Sequence, residues 1–164
     1  MKVVYLIRHA KSSWANPGLE DIERPLNKRG ERDSAFMPNV LKGKGAKPDL
    51  IVSSPANRAF TTACKFGEAF GIDKDNILVR EDIYEAYPQA VLEVIKALNH
   101  QANEVLIFGH NPTFTSLADM FSDEYIVNVP TCGIIKIEAE IDDWNLFSEE
   151  NAKQTAFYFP KQYL

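Results

Sequence analysis

After the first lysine, residues 3–7 (Val-Val-Tyr-Leu-Ile) form an unbroken apolar run of β-branched, aliphatic and aromatic side chains. A strand of that kind has no face to offer to water. Both faces must be covered, and helices on either side of a mostly parallel sheet are the usual cover. The rest of the chain repeats the theme. Leu50–Val52, Ile77–Val79 and Val105–Phe108 are short apolar runs, and helical segments lie between them. Asn27 can cap a helix to about Val40, weakened by Gly30 and strained at its end by Pro38. Ser53-Ser54-Pro55 reads as the cap and first turn of a helix that carries Arg58 and ends near Gly71. Pro88 opens another helix, with Val91, Leu92, Ile95 and Leu98 on one face. Thr113–Phe121 is a further helix, and Gly133–Ala139 and Thr155–Phe159 are the last strands. This order predicts an α/β fold, a three-layer α/β/α sandwich with a mostly parallel central sheet, in which the final strands include an antiparallel pair.

Composition sets the outer limits. Hydrophobic residues fill 45 % of the 164 positions, enough for one catalytic domain spanning 1–164 with its own core. No apolar run is long enough to cross a bilayer, and no cleavable leader is recognisable. With only two cysteines, Cys64 and Cys132, in unrelated contexts, a disulfide framework is not expected and a cytoplasmic location is. The net charge of −5 is uneven. Residues 1–50 hold ten Lys/Arg against six Asp/Glu, and residues 51–164 hold eight against seventeen. The acidic total argues against nucleic-acid binding. The basic first third suits a small anion or an acidic partner surface. A monomer is the expected state.

Three strand ends carry the chemistry. The first strand runs into Arg8-His9, the second into Ser53-Ser54-Pro55 with Arg58 one turn on, and the fourth into Gly109-His110. In an open parallel sheet these carboxyl ends share one edge, where ligands bind. Arginine matches phosphate oxygens two at a time. A helix start supplies free N–H groups. A neutral imidazole can attack phosphorus and form a covalent intermediate, and a second imidazole can donate to an equatorial oxygen. Metal binding is the rival use of His9 and His110. Adjacent arginines repel a cation, and no spacing resembles a zinc site. His100 reads as a helix-end residue, Trp14 as a buried packing residue with the pocket wall as the alternative, and Tyr84 and Tyr87 as lining of the mouth.

The run Leu6-Ile7-Arg8-His9-Ala10-Lys11-Ser12-Ser13-Trp14 resembles the signature of the histidine phosphatase superfamily, in its SixA-type phosphohistidine phosphatase branch. Arg24-Pro25-Leu26-Asn27 with Gly30, Ser53-Ser54-Pro55-Ala56-Asn57-Arg58-Ala59 with Thr61-Thr62-Ala63, and Gly109-His110-Asn111-Pro112 are similar to three further segments of that branch, in the same order. The resemblance implies that His9 is the phosphorylated nucleophile and that Arg8, Arg58 and His110 form the phosphate pocket, with no cofactor and no metal. Ala10 stands where many relatives have glycine, a change that the SixA branch tolerates. Ala15 stands where many have a phosphate-contacting asparagine, so Asn16 receives no role.

Ile83-Tyr84-Glu85 is similar to the segment that supplies a catalytic glutamate in phosphoglycerate-mutase-like relatives, which makes Glu85 a candidate general acid beside the alternative of a solvated loop carboxylate. The expected substrate is phosphohistidine in a protein, such as a phosphotransfer domain. The alternatives are a small phosphate ester and a non-catalytic module that docks phosphorylated partners. Intact His9 argues against the last.

Overall fold

The computed structural model describes residues 1–164. Its elements are β1 (Lys2–Arg8), α1 (Lys28–Gly43), β2 (Leu50–Ser53), α2 (Asn57–Phe70), β3 (Leu78–Val79), α3 (Pro88–Lys96), β4 (Glu104–Gly109), α4 (Thr113–Met120), β5 (Ile134–Ala139) and β6 (Ala152–Tyr158), with short 3₁₀ turns between them. One sheet holds all six strands in the order β3-β2-β4-β1-β5-β6. The pairs β2·β3, β2·β4 and β1·β4 are parallel, whereas β1·β5 and β5·β6 are antiparallel. Only β5 therefore runs against the other five.

The alternation of side chains across the pleat builds two cores. Val4 and Leu6 of β1, with Val105 and Ile107 of β4, face α3 and α4 and meet Val91, Ile95, Phe114 and Leu117. Tyr5 and Ile7, with Leu106 and Phe108, face α1 and α2 and meet Met37, Leu41, Ala63 and Phe66. This is the three-layer sandwich, and it explains why β1 shows no polar alternation. The expected antiparallel pair is present, and β5 is antiparallel to β1 as well.

Two local expectations are corrected. α1 does not stop near Val40 under strain from Pro38 but runs on to Gly43 with Pro38 inside it. Ser54 does not cap α2. That helix starts at Asn57 after Ala56 and has no side-chain cap, and the Ser54 hydroxyl instead meets His110 at 2.8 Å. β6 starts at Ala152, ahead of its expected start at Thr155, and α3 ends at Lys96, before Leu98, whereas three boundaries follow the sequence. Asn27 caps α1 by accepting from Gly30 N at 2.9 Å, Pro88 opens α3, and Gly71 ends α2 with a φ of 73°, a conformation that favours glycine.

Gly30 sits inside α1 for a steric reason. A Cβ there would lie 2.1 Å from the carbonyl oxygen of Lys11, in the loop that follows His9. The helix gives up propensity so that this loop can press against it. Gly30→Ala is therefore expected to destabilise the protein by about 3 kcal/mol or more through overpacking against backbone. Gly43→Ala, with nothing within 4 Å of the added methyl, is expected to gain ~0.5 kcal/mol. Urea denaturation of the two variants measures the contrast.

Candidate phosphate-binding active site

The topology dictates where a ligand site can form. From β1 the chain crosses through α1 over one face of the sheet, and from its neighbour β4 it crosses through α4 over the other. Connections leaving in opposite directions open a crevice at the carboxyl ends of these two strands. The register pairs Arg8 with Gly109, and His9 N donates to Gly109 O at 3.0 Å. Arg8-His9 and Gly109-His110 are thus side by side. The imidazole centroids of His9 and His110 are 5.2 Å apart. Arg58 arrives from the first turn of α2.

These four residues line one cavity of about 260 Å³, together with Lys11, Ser12, Trp14, Asp21, Arg24, Tyr84, Glu85, Asn111 and Thr131. The structure brings all five sequence-derived candidates, Arg8, His9, Arg58, Glu85 and His110, to this cavity. Glu85 is on its exposed rim with a φ of 53°, a left-handed conformation that non-glycine residues adopt at a cost and that is concentrated at functional sites. Tyr84 lines the same cavity, whereas Tyr87 belongs to an adjoining surface hollow that shares Glu85, His110 and Asn111. Trp14 departs from its expected packing role. It is 73 % exposed, and the Arg24 guanidinium lies 3.3 Å from its ring centre. His100 is remote from the cavity, and its carbonyl accepts from Lys2 Nζ.

His9 has a defined tautomer. Its Nδ1 lies 2.7 Å from the carbonyl oxygen of Ala10. A carbonyl only accepts, so Nδ1 carries the proton and Nε2 keeps its lone pair. Burial drives the His9 pKa down to about 3. The Ala10 carbonyl opposes that shift, and His110, Arg58 and Arg8 add to it. Burial, then Arg58, lowers His110 to about 4, with Asp21 acting the other way. Both rings are therefore neutral at physiological pH.

The guanidiniums are held in place by different means. Arg8 donates through Nη1 to Val129 O at 3.1 Å, and its Nε is buried without an acceptor in the protein. Burial and nearby Arg29 lower its pKa. Arg58, only 7 % exposed, donates to Asp21 O at 2.7 Å and Asp21 Oδ2 at 2.9 Å. The same carboxylate accepts from Tyr84 Oη at 2.6 Å and from Arg24 Nη1 at 2.9 Å. The hydrogen bond from Tyr84, followed by those from Arg58 and Arg24, holds the Asp21 carboxyl well below its usual range against the opposing effect of burial. Burial and the same contact push the Tyr84 phenol up to about 12.

Asp21 is the residue that sequence reasoning passed over. A carboxylate beside a phosphate pocket carries no sequence signal, because its own charge repels the ligand. Its value lies in aligning Arg58. Arg24 stands within a motif segment, but its place as the link between Asp21, Ser12 and Trp14 needed the fold. The loop before β5 was also unmarked. There Cys132, with a φ of 59°, donates its N–H to both Arg8 O at 2.9 Å and His9 O at 3.1 Å, bracing the backbone of both residues.

Two guanidiniums and two neutral imidazoles share one cavity at the switch point of an α/β sheet, a donor set whose chemistry matches a tetrahedral oxyanion. The model of the histidine phosphatase superfamily (branch 1) matches residues 4–88, and the chain belongs to that family. His110 lies beyond the matched residues, and the β1·β4 ladder brings it to His9. An uncharacterized chloroplastic protein of Arabidopsis thaliana is 30 % identical over 147 residues, covering 85 % of this chain and 67 % of its own length. The crystal structure of a protein assigned as phosphohistidine phosphatase SixA from Agrobacterium tumefaciens superposes with a TM-score of 0.81 at 29 % identity, over 97 % of this chain and 98 % of the other. A SixA protein histidine phosphatase solved with tungstate shares the fold, with a TM-score of 0.82 at 22 % identity and 98 % of each chain covered.

The depressed histidine pKa values set a pH dependence of stability. Unfolded, both rings titrate near 6.5. Folded, they resist protonation down to about 4 for His110 and about 3 for His9. Above pH ~6.5 both rings are neutral in either state and contribute no slope. As pH falls below that value the unfolded chain takes up protons that the folded chain refuses, so stability is lost, by up to ~2.7 kcal/mol per pH unit for two protons. The loss levels off as pH passes through the folded values. Urea melts between pH 7 and pH 4.5 should show a shallower slope in His110→Gln by about one proton, ~1.4 kcal/mol per pH unit. An unchanged slope contradicts the assignment of a buried neutral imidazole.

Proposed function

We propose that this chain is a phosphatase that works through a phosphohistidine on His9 and acts on phosphohistidine in a protein. The observation that carries this reading is the state of His9: neutral, 8 % exposed, its Nδ1 proton committed to Ala10 O, and its Nε2 lone pair left for attack. In the first step Nε2 forms a bond to phosphorus as the bond to the leaving group breaks. Arg8 and Arg58 take up the equatorial negative charge, and His110 donates to the same oxygens. In the second step water attacks the phosphohistidine, inorganic phosphate leaves, and His9 is regenerated.

The leaving group decides what acid the reaction needs. Imidazole has a conjugate acid of pKa ~6.5 and can depart already protonated. An alkoxide needs a proton delivered. Asp21 is held ionised by three donors and has none to give, and Tyr84 holds its proton tightly. Only Glu85 on the rim offers a candidate carboxylic acid. A site with so little acid at hand suits a phosphoramidate better than an ester, and the similarity to the A. tumefaciens protein points the same way. The partner would then be a phosphorylated protein, for example a phosphotransfer domain.

A small phosphate ester is the second reading, and one observation favours it. Glu85 is held in a costly left-handed conformation at the cavity rim, as a positioned general acid would be. Hydrolysis rates of wild type and Glu85→Gln on three substrates separate the two. With phosphohistidine peptide and an activated aryl phosphate, Glu85→Gln is expected to retain most activity. With an alkyl phosphate, the loss is expected to reach ~10²-fold if Glu85 delivers the proton. Wild-type preference for the alkyl phosphate over phosphohistidine peptide would replace the first reading by the second.

A further inference from the structure

Beside the His9 cavity lies a second one, of about 390 Å³, lined by the cations Arg29, Arg32 and Lys161 and by the apolar Pro130, Phe159, Pro160 and Leu164. Thr131 belongs to the walls of both, and Arg29 Nη2 donates to Thr131 Oγ1 at 3.1 Å. The two cavities are therefore adjoining, with Arg29 at the boundary.

The cations of this second cavity are built in. Arg29 and Arg32 stand three residues apart on α1 and share a face. Beneath them Asp33 has a fully buried side chain, with Oδ1 at 2.9 Å from Arg32 Nη2 and Oδ2 at 3.7 Å from Arg29 Nε. Asp33 Oδ2 is buried and makes no hydrogen bond. The carboxylate thus ties both guanidiniums to the wall while their side chains stay 52 % and 56 % exposed. Lys161 adds a third cation from the segment after β6 and takes part in none of the protein's ion pairs. Asp33 is the only acidic side chain on the wall. In a chain of net charge −5, three cations gathered around one half-apolar hollow make a local selector for negative charge.

We propose that this second cavity binds a carboxylate-bearing segment of the protein substrate, an Asp or Glu flanking the phosphorylated residue, while the phosphoryl group occupies the His9 cavity. The inference rests on the reading of a phosphorylated protein as substrate. Its recognition chemistry is complementary: the guanidiniums and the ammonium meet the carboxylate, and the apolar lining residues meet the methylenes that carry it. Phosphate held by Arg8 and Arg58 fixes one end of the substrate, and Arg29 at the shared wall begins the second contact.

The test is competition against hydrolysis of p-nitrophenyl phosphate by the full chain. The competitors are two phosphohistidine peptides that differ only in flanking glutamates or glutamines. The glutamate peptide should compete about fivefold more strongly, as one or two well-placed ion pairs allow. The preference should shrink in 0.5 M salt. Lys161→Glu should abolish it while leaving p-nitrophenyl phosphate turnover and thermal stability unchanged. Equal competition by the two peptides, no competition by either, or a preference that survives Lys161→Glu overturns the inference. Phosphate release from the glutamine peptide reads the phosphohistidine assignment separately, so failure of the second cavity and failure of the substrate class are told apart.

Discussion

The pairing of β1 with β4 is the constraint on which everything else depends. These two strands are central, parallel and buried on both faces, and their ladder sets Arg8 opposite Gly109. One hydrogen bond further, His9 N to Gly109 O, the chain leaves the sheet and the two histidines emerge together. A slip of one residue in this register would turn the side chains of β1 to the wrong faces and separate the imidazoles. Gly109 also has to be glycine. A Cβ there would lie 2.5 Å from the ring of Phe114, so the close turn into α4 that presents His110 depends on its absence.

The electrostatics of the site follow from what surrounds this pair. Burial keeps both rings neutral, and the guanidiniums of Arg8 and Arg58 supply positive charge without a proton to lose. Asp21 is the single carboxylate bonded to Arg58, and it also binds Arg24 and Tyr84. It orients the fork of Arg58 and keeps the local charge balance tolerable for the fold. Val129 O and Asp21 hold the guanidiniums of Arg8 and Arg58, and under the proposed function a phosphoryl dianion would meet donors already aligned, with little reorganisation as charge develops. In the proposed mechanism the same dianion would raise the pKa of His110 and favour uptake of a proton from solvent, which the ring could then donate.

Much of this was legible in the sequence because strand periodicity and strand-end residues are local signals. β1, β2 and β4 are short apolar runs that end in Arg8-His9, Ser53-Ser54 and Gly109-His110, and the edge rule for parallel sheets brings such ends together. Burial of Trp14 and capping by Ser54 were misread for one reason. Both expectations treated a residue by its local propensity, whereas tertiary contacts decided the outcome: Trp14 stacks on Arg24 at the cavity and stays exposed, and His110 claims the Ser54 hydroxyl. Asp21 and the Val129–Cys132 loop were invisible because their partners lie 37 and more than 120 residues away in the chain. Pro38 was expected to strain the end of α1, yet the helix carries on for five residues beyond it to Gly43.

The central claim is that His9 Nε2 takes the phosphoryl group. Rapid-quench mixing with a ³²P-labelled substrate, followed by alkaline work-up and peptide mapping, tests it directly. A burst of label that is acid-labile, alkali-stable and confined to the peptide containing His9, and that is absent from His9→Ala, is the result the account predicts. Full turnover by His9→Ala, or label carried by another residue, would contradict it.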